Sequence, residues 1–226
     1  VRGDPGNPSR VFALGLDIYR STNGGNGWGM TSSGVHVDQH DLWIDPAQPS
    51  RMLAGGDGGL YRTTNGGSSW THVETLPITQ FYAGAIDHLD PRRLYGGTQD
   101  NGTVRTWTGG LDDWSMIYGG DGFYTLVDPR NSNIIFAEYQ YGNLARSTNG
   151  GSSFYSCLNG VPSGDRRNWS TPVVFDPANP DRMYYGTYRL FRSTNGSASW
   201  SAISPDLTGG TQGATLVYAT LTTIAV

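Results

Sequence analysis

The sequence predicts an all-β fold, namely a β-propeller of about five four-stranded blades. The first observation is an Asp-Pro dipeptide that recurs after short apolar runs. Its copies begin at Asp4, Asp45, Asp90, Asp128 and Asp176, at intervals of 41, 45, 38 and 48 residues. These intervals match the period of about 40 to 50 residues expected of one propeller blade. Each copy is predicted to be a turn between two strands, because proline fixes φ and removes a backbone donor.

A second motif supports the same fold. Its Asn lies 19 to 21 residues beyond the Asp-Pro in four repeats, within 21–28, 63–70, 147–154 and 193–200. The Asn-Gly dipeptide inside it favours a hairpin turn, because both residues tolerate positive φ. The aromatic residue that ends each copy begins the next strand and is expected to tuck under the turn. The expected structural residues are Asn23, Trp28, Asn65, Trp70, Asn149, Phe154, Asn195 and Trp200.

These four copies resemble the Asp box, or BNR repeat, of sialidases, xyloglucanase-type glycoside hydrolases and sortilin-type receptor propellers. The repeat pattern covers nearly the whole chain, and the resemblance implies that the box is a structural turn away from the active face. This sequence departs from the family pattern by using Asn where the family often has Asp, and by Ser197 in place of the usual Gly. The third repeat keeps only 111–114, Leu-Asp-Asp-Trp, near the expected place.

We expect a single domain, 1–226, with blades at about 1–35, 36–79, 80–118, 119–168 and 169–220. In each blade, strand A precedes the Asp-Pro, strand B follows it, strand C leads into the second motif and strand D leaves it. The first repeat has little sequence for a strand A, whereas 221–226 reads as a strand A with nothing after it. Either 221–226 completes blade 1 and closes the ring, or the chain is part of a larger propeller. Closure is favoured because an open arc would expose a strand edge.

Composition and charge exclude several other classes. The 226 residues include 12% aromatic residues and carry a net charge of −4 without a basic stretch, which argues against disorder and against a nucleic-acid partner. No apolar run is long enough to span a membrane. The chain lacks an initiator Met and a signal peptide, so we expect a mature or excised piece of a secreted or periplasmic protein. The single Cys157 excludes an intramolecular disulfide and a Cys-based zinc site.

The polar residues expected to carry function come from the starts of the A strands and from the B–C turns, which share one face of a propeller. On strand A of the second repeat, His36, Asp38 and His40 alternate and are expected to project together. They could bind a divalent metal, act as acid and base, or have a structural role only. Apart from such a metal, no cofactor is expected.

Two carboxylates occupy equivalent repeat positions and are the candidate catalytic residues. Asp38 and Asp121 each lie seven residues before an Asp-Pro and could face each other across the channel mouth. Neighbouring Tyr82, Tyr139 and Tyr141 could stack on sugar rings. The candidate substrate-binding residues are His36, His40, Asp57, Gln99, Asp100, Asn101, Glu138 and Gln140.

The resemblance favours a glycan-related function, in which the chain binds or hydrolyses a carbohydrate. An enzyme of this kind would be a glycoside hydrolase, which needs two suitably spaced carboxylates. Sialidase activity is not expected, because no arginine triad is found, and xyloglucanase-type enzymes form their cleft between two propellers. The alternatives are a non-catalytic propeller that binds a protein or peptide, resembling the sortilin-type receptors, and the structural half of a longer enzyme.

Overall fold

The computed structural model describes residues 1–76, 78–209 and 219–226. All regular secondary structure in these residues is β, with twenty strands in five four-stranded antiparallel sheets. In every sheet, strands adjacent in the chain are adjacent in space. This meander is the organisation of a propeller blade, so the predicted all-β class with five four-stranded blades is confirmed. Parts of the second and fifth expected blades, Pro77 and 210–218, lie outside the described residues.

The chain divides into two compact units, Val1–Thr79 and Gln80–Val226. The first unit contains two blades. Blade 1 consists of β1 (Arg2–Asp4), β2 (Asn7–Leu14), β3 (Ile18–Ser21) and β4 (Gly29–Met30). Blade 2 consists of β5 (Gln39–Ile44), β6 (Met52–Gly56), β7 (Gly59–Thr63) and β8 (Thr71–His72).

The second unit contains three blades. Blade 3 consists of β9 (Phe81–Ile86), β10 (Leu94–Thr98), β11 (Gly102–Thr106) and β12 (Ser115–Tyr118). Blade 4 consists of β13 (Gly122–Val127), β14 (Ile135–Tyr139), β15 (Asn143–Ser147) and β16 (Tyr155–Ser156). Blade 5 consists of β17 (Val173–Asp176), β18 (Asn179–Gly186), β19 (Leu190–Ser193) and β20 (Ser201–Ala202).

An aspartate caps the turn after strand A in each blade. In blade 2, Asp45 Oδ1 accepts a hydrogen bond from the N–H of Ala47 at 2.9 Å. In blade 3 this role belongs to Asp87, whose Oδ1 accepts from the N–H of Leu89 at 2.9 Å. The expected assignment of Asp90 to this position is therefore wrong. With Asp87 in place, the neighbouring intervals become 42 residues from Asp45 and 41 residues to Asp128.

The four repeated turn motifs share one hydrogen-bond pattern. In blade 1, Ser21 Oγ donates to Asn23 Oδ1 at 2.9 Å and accepts the N–H of Gly25 at 2.9 Å. Asn23 Oδ1 also accepts the N–H of Gly27 at 2.8 Å. The copies in blades 2, 4 and 5 repeat these bonds. In blade 5, Ser197 takes the place of glycine with φ of 72°.

Blade 3 keeps a turn of the same kind, although its acceptor comes from a different position. Thr106 Oγ1 accepts the N–H of Gly109 at 2.9 Å and donates to Asp113 Oδ1. Asp113 Oδ2 accepts the N–H groups of Trp107 and Thr108 at 3.0 and 2.9 Å. The expectation that only 111–114 survives in this repeat is therefore wrong. A loop one residue longer lets Asp113 supply the acceptor that Asn supplies elsewhere.

Each unit has its own apolar core between adjacent blades. In the first unit the core residues are Phe12, Ile18, Leu42, Met52, Ala54 and Tyr61. In the second unit the larger cluster is Phe136, Leu144, Val161, Val173, Met183, Tyr185, Phe191 and Trp200, and the smaller one is Tyr95, Val127 and Ile135. These clusters fix neighbouring blades against each other and so set the positions of their loops.

None of the residues 221–226 is in a strand, and closure of the ring by this segment stays a prediction. The N–H of Leu221 donates to the carbonyl of Thr187 in the second unit at 2.8 Å. Strand A of blade 1 is the short β1, paired with β2. Within the described residues, we find no helix with the length and apolar character needed to cross a membrane.

Candidate functional site

Four aromatic rings from three successive blades come together in the second unit. We call Tyr82, Phe123, Tyr141 and Trp169 the aromatic cluster. Tyr82 stacks on Phe123 with ring centroids 4.8 Å apart and planes at 19°. Trp169 meets Phe123 edge-on at 5.7 Å, and Tyr141 meets Trp169 edge-on at 4.9 Å. These distances lie in the range at which aromatic pairs attract each other.

Three rings of the aromatic cluster are open to solvent. Tyr82, Tyr141 and Trp169 are 41%, 49% and 39% exposed, whereas Phe123 is 1% exposed. Phe123 therefore forms the floor on which the exposed rings rest. An exposed group of large rings on a rigid sheet scaffold is typical of a ligand-binding surface.

The strands and turns that carry the cluster are tightly held. Tyr141, in the turn between β14 and β15, has a positive φ of 60°, and its N–H donates to the carbonyl of Trp169 at 3.0 Å. The next residue, Gly142, accepts a hydrogen bond from the hydroxyl of Tyr185 at 2.6 Å. These two bonds fix Tyr141 relative to blade 5, so its ring needs little reordering when a ligand binds.

A carboxylate lies at the start of β13, two residues before Phe123. Asp121 is buried, and its Oδ1 accepts the backbone N–H of Asp100 at 2.7 Å. Its Oδ2 accepts a hydrogen bond from Gln140 Nε2 at 2.6 Å. Asp121 therefore joins the B–C turns of blades 3 and 4, and it brings together three of the residues expected from the sequence.

Further polar groups border the cluster on the blade 3 side. The hydroxyl of Tyr82 donates to Gln99 Oε1 at 3.0 Å. Asn101, which is exposed, donates from Nδ2 to the carbonyl of Gln99 at 2.9 Å. Asp100 adopts a positive φ of 59°, as expected of a tight turn. Amide and carboxylate groups thus lie beside the exposed rings. The third expected tyrosine, Tyr139, contacts Tyr118 at 5.7 Å instead of a ring of the cluster.

Glu138 is not a surface residue, so its predicted role in substrate binding is wrong. The side chain is 0% exposed, and Oε1 accepts the N–H of Thr171 at 2.6 Å. Burial raises the pKa of this carboxyl group well above its ordinary value, because the charged form loses its hydration. Glu138 is therefore a buried acid that links blades 4 and 5.

The residues predicted to form a metal site do not share one side of a strand. Strand β5 begins at Gln39, so His36 and Asp38 precede it, and Asp38 has a positive φ of 65°. The expected alternation of three side chains is therefore wrong. His36 Nδ1 lies 2.9 Å from the carbonyl of Val37. Over residues 1–76, 78–209 and 219–226, no three His, Cys, Asp or Glu side chains are grouped to hold a metal ion.

His40 pairs with a different carboxylate from the one expected. His40 Nε2 lies 2.5 Å from Asp57 Oδ1, and the N–H of Asp57 donates to the carbonyl of Asp38 at 3.1 Å. This arrangement joins β5 to the turn between β6 and β7. Asp38 lies in the first unit and Asp121 in the second, so a catalytic pair formed by these two residues stays a prediction.

Sequence reasoning missed two members of the aromatic cluster, Phe123 and Trp169. A signal for Trp169 was present, since it lies seven residues before Asp176. That is the repeat position at which Asp38 and Asp121 were singled out. Superposing the repeats for aromatic as well as acidic residues would have found it.

Comparison with known proteins gave structural likenesses only. No family model and no curated protein matches the sequence. An ancestral GH74 enzyme is 24% identical over 74% of this chain and 24% of its own length, with a TM-score of 0.48. The GH74 xyloglucanase from Xanthomonas campestris is 15% identical over 90% of this chain and 45% of its own, with a TM-score of 0.35. YCF48 bound to D1 peptide is 15% identical over 86% and 63%, with a TM-score of 0.40.

The chain therefore spans less than two thirds of the length of each of these three structures. Sequence identities and TM-scores this low do not support a conclusion about ligand or activity. The fold class rests on the five sheets, and any function has to be argued from the aromatic cluster and its polar border.

Proposed function

We propose that this chain is a propeller of the Asp-box type that binds a carbohydrate on the aromatic cluster of its second unit. The observation that carries the proposal is the set of three exposed rings on a buried Phe123, bordered by Asp121, Gln99 and Gln140. The shared hydrogen bonds of the four repeated turns support their identification as Asp boxes. We place this binding outside the cell or in the periplasm, as expected from the sequence.

Carbohydrates have the chemistry that such a surface recognises. A pyranose presents C–H groups on its ring face, and these groups are attracted to the negative face of an aromatic ring. Its hydroxyl groups donate to carboxylate and amide oxygens such as those of Asp121 and Gln99. Exposed Tyr141 and Trp169 come from adjacent blades, which suits a ligand of more than one sugar unit.

The surroundings of Asp121 favour binding over hydrolysis on this surface. A glycosidase needs one carboxyl group that protonates the leaving oxygen and another that acts as base or nucleophile. Each oxygen of Asp121 already accepts a hydrogen bond, from Asp100 and from Gln140. Glu138, the nearest carboxyl group along β14, is buried away from solvent. Asp121 is thus better suited to orient loops and accept sugar hydroxyls than to transfer protons.

A glycan array tests the proposal. Wild type is compared with Trp169→Ala, which removes an exposed ring, and with Tyr155→Ala, which removes an exposed ring of β16 outside the cluster. We expect wild type and Tyr155→Ala to bind the same glycans, and Trp169→Ala to lose them. Binding that survives in Trp169→Ala would place the glycan site elsewhere on the chain.

The same proteins should be tested on a peptide array and for sugar release from each bound glycan. Binding to peptides alone, lost in Trp169→Ala, would replace the carbohydrate proposal with that of a peptide-binding propeller. Release of sugar, abolished by Asp121→Asn, would show that the surface is catalytic.

A further inference from the structure

The rings of the aromatic cluster do not lie in one plane. Tyr82 is nearly parallel to Phe123, with an angle of 19° between the two planes. Phe123 and Trp169 meet at 78°, and Trp169 and Tyr141 meet at 84°. The ring plane therefore turns by nearly a right angle at each of these last two contacts. A flat ligand that lies parallel to Tyr141 is not parallel to Trp169.

The loop that carries Trp169 is held by its own hydrogen bonds. The N–H of Ser170 donates to Asn168 Oδ1 at 3.2 Å, and the hydroxyl of Thr171 donates to the carbonyl of Asn168 at 2.9 Å. Asn168 Nδ2 in turn donates to Thr220 Oγ1 at 3.0 Å. These bonds lie on both sides of Trp169, so its backbone has a fixed course before β17.

A buried carboxyl group ties this loop to the turn that carries Tyr141. Glu138 Oε1 accepts the N–H of Thr171, two residues after Trp169, at 2.6 Å. Burial raises the pKa of Glu138, and backbone hydrogen bonds from Thr171 and from Gly142, the residue after Tyr141, oppose that rise. Glu138 is 0% exposed and does not reach the ligand surface. It acts through the backbone beside each of the two rings.

The turn and the loop also touch closely at Gly142. Its φ is 69°, and a Cβ atom there would overlap the side chains of Thr171 and Tyr185. The hydroxyl of Tyr185 donates to the carbonyl of Gly142, and Thr171 and Tyr185 are both 0% exposed. We call Glu138, Gly142, Thr171 and Tyr185 the latch. Because the latch is buried and hydrogen-bonded, it fixes the backbone under Tyr141 and Trp169 before any ligand binds.

The fixed angle between the two rings selects the shape of a glycan. A sugar unit stacks with its C–H face parallel to an aromatic ring. The centroids of Tyr141 and Trp169 are 4.9 Å apart, so neighbouring sugar units that stack on both must be steeply inclined to each other. Successive units of a cellulose-type chain form a flat ribbon, whereas each unit of a maltose-type chain turns relative to the one before. A preformed surface favours the ligand that already has the matching shape.

We propose that the aromatic cluster binds maltose-type glycans in preference to cellulose-type glycans. Tyr141 and Trp169 each stack on one sugar unit of the turned chain, and Glu138 is the positioning residue that fixes the angle between them. This inference rests on the proposed carbohydrate function and adds to it the shape of the ligand.

Calorimetric titration with maltotetraose and cellotetraose tests the inference, because these two probes contain the same sugar in the same number and differ only in linkage. We expect wild type to bind maltotetraose at least about tenfold more tightly, since the flat chain stacks on only one of the two rings. Trp169→Ala should lose this preference together with most of the affinity.

Variants of the latch test the role of Glu138. Glu138→Gln keeps an acceptor for Thr171 and should keep the preference of wild type. Glu138→Met fills a similar space without an acceptor and leaves the N–H of Thr171 unpaired, so the ratio of the two affinities should fall towards one. Tyr185→Phe, a milder change that removes the hydroxyl donor to Gly142, should lower the ratio in the same direction.

Ile135→Ala separates positioning from loss of stability. Ile135 is 0% exposed and lies at the opposite end of β14 from Glu138, so its truncation destabilises the fold without touching the latch. We expect this variant to unfold at a lower temperature and to keep the affinity ratio of wild type.

The outcomes separate this inference from the proposed function. A wild type that binds cellotetraose as tightly as maltotetraose would overturn the inference and leave carbohydrate binding in place. A wild type that binds neither probe also overturns it, and the glycan array then decides whether the chain binds carbohydrate at all. An affinity ratio unchanged in both Glu138→Met and Tyr185→Phe, or lowered equally in Ile135→Ala, would refute the positioning role of Glu138.

Discussion

Glu138 is a fully buried carboxyl group on β14 that accepts a hydrogen bond from the N–H of Thr171. Burial raises its pKa well above the ordinary value of 4.5. The folded state therefore holds a proton that the unfolded state has released. The stability linked to this group is fully present below the unfolded pKa and is lost as pH rises through the folded pKa.

We expect Glu138→Gln to stabilise the protein at neutral and alkaline pH, because glutamine keeps the acceptor for Thr171 and cannot ionise. The gain grows by about 1.4 kcal/mol per pH unit until the folded pKa is reached. Urea unfolding of wild type and variant from pH 4 to pH 9 measures it. A stability difference between the two proteins that does not change with pH would contradict the account.

Asp113 supports the longer turn of blade 3. The hydroxyl of Thr106 is the main cause that lowers the pKa of Asp113 below its ordinary value of 3.8, and the hydroxyl and backbone N–H of Thr108 and the N–H of Trp107 also lower it. Stability from these bonds is present above the ordinary pKa and is lost as pH falls through the lowered, folded pKa. We expect Asp113→Ala to lower the thermal midpoint at pH 7 and to differ less from wild type near pH 2.

The neighbouring Asp112→Ala is the matched control for Asp113→Ala, and we expect its thermal midpoint to equal that of wild type. Equal midpoints for all three proteins at pH 7 would show that the turn of blade 3 does not depend on the carboxylate of Asp113.

Residue identity alone could not show which expected polar side chains reach the surface. Glu138 was expected in the B–C turn of its blade, but it lies on β14, where blade 5 covers it. Burial by a neighbouring blade depends on residues such as Thr171, which lie far away in the sequence. Trp169 was missed for a different reason, because its repeat position was searched for carboxylates only.

At the scale of the strands, one glycine controls how closely blades 3 and 4 approach. A Cβ atom at Gly97 on β10 would overlap the backbone of Gly122 and Phe123 on β13. We expect Gly97→Ala to destabilise the second unit by about 1–3 kcal/mol and to weaken glycan binding, because Phe123 forms the floor of the aromatic cluster.

Gly84→Ala on neighbouring β9 is the control for Gly97→Ala, since a Cβ there meets its nearest atom, the carbonyl oxygen of Tyr95, at 3.9 Å. Denaturant unfolding of both variants measures the difference. A Gly97→Ala protein as stable as Gly84→Ala would contradict the close approach of the two strands.

The strands themselves were largely predictable, because turn residues recur at fixed distances and each turn stabilises itself locally. The Asp-Pro and Asn-Gly signals placed strands A to D in the right order in blades 1, 2, 4 and 5. The error in blade 3 arose because the local sequence differs there. The capping Asp87 is followed by His88 instead of proline, and an Asp-Pro dipeptide occurs three residues later, at Asp90-Pro91. The acceptor from Asp113 was missed because it comes from the end of its turn instead of the middle.

At the scale of the whole molecule, the candidate site depends on contacts between blades. Tyr82, Phe123, Tyr141 and Trp169 are separated by up to 87 residues in the sequence, and their approach follows from the packing of blades 3 to 5. The sequence predicted the face on which the aromatic cluster lies, because the starts of the A strands and the B–C turns were expected to share one face. It could not identify which rings meet, since that depends on the spacing of blades and on the loop before β17.

Calorimetric titration with the best glycan from the array tests the central claim most directly. Wild type and Tyr155→Ala should bind with equal affinity. Trp169→Ala should bind at least about tenfold more weakly, because truncation of an aromatic anchor commonly costs more than 1.4 kcal/mol. A dissociation constant for Trp169→Ala equal to that of wild type would contradict carbohydrate binding on the aromatic cluster.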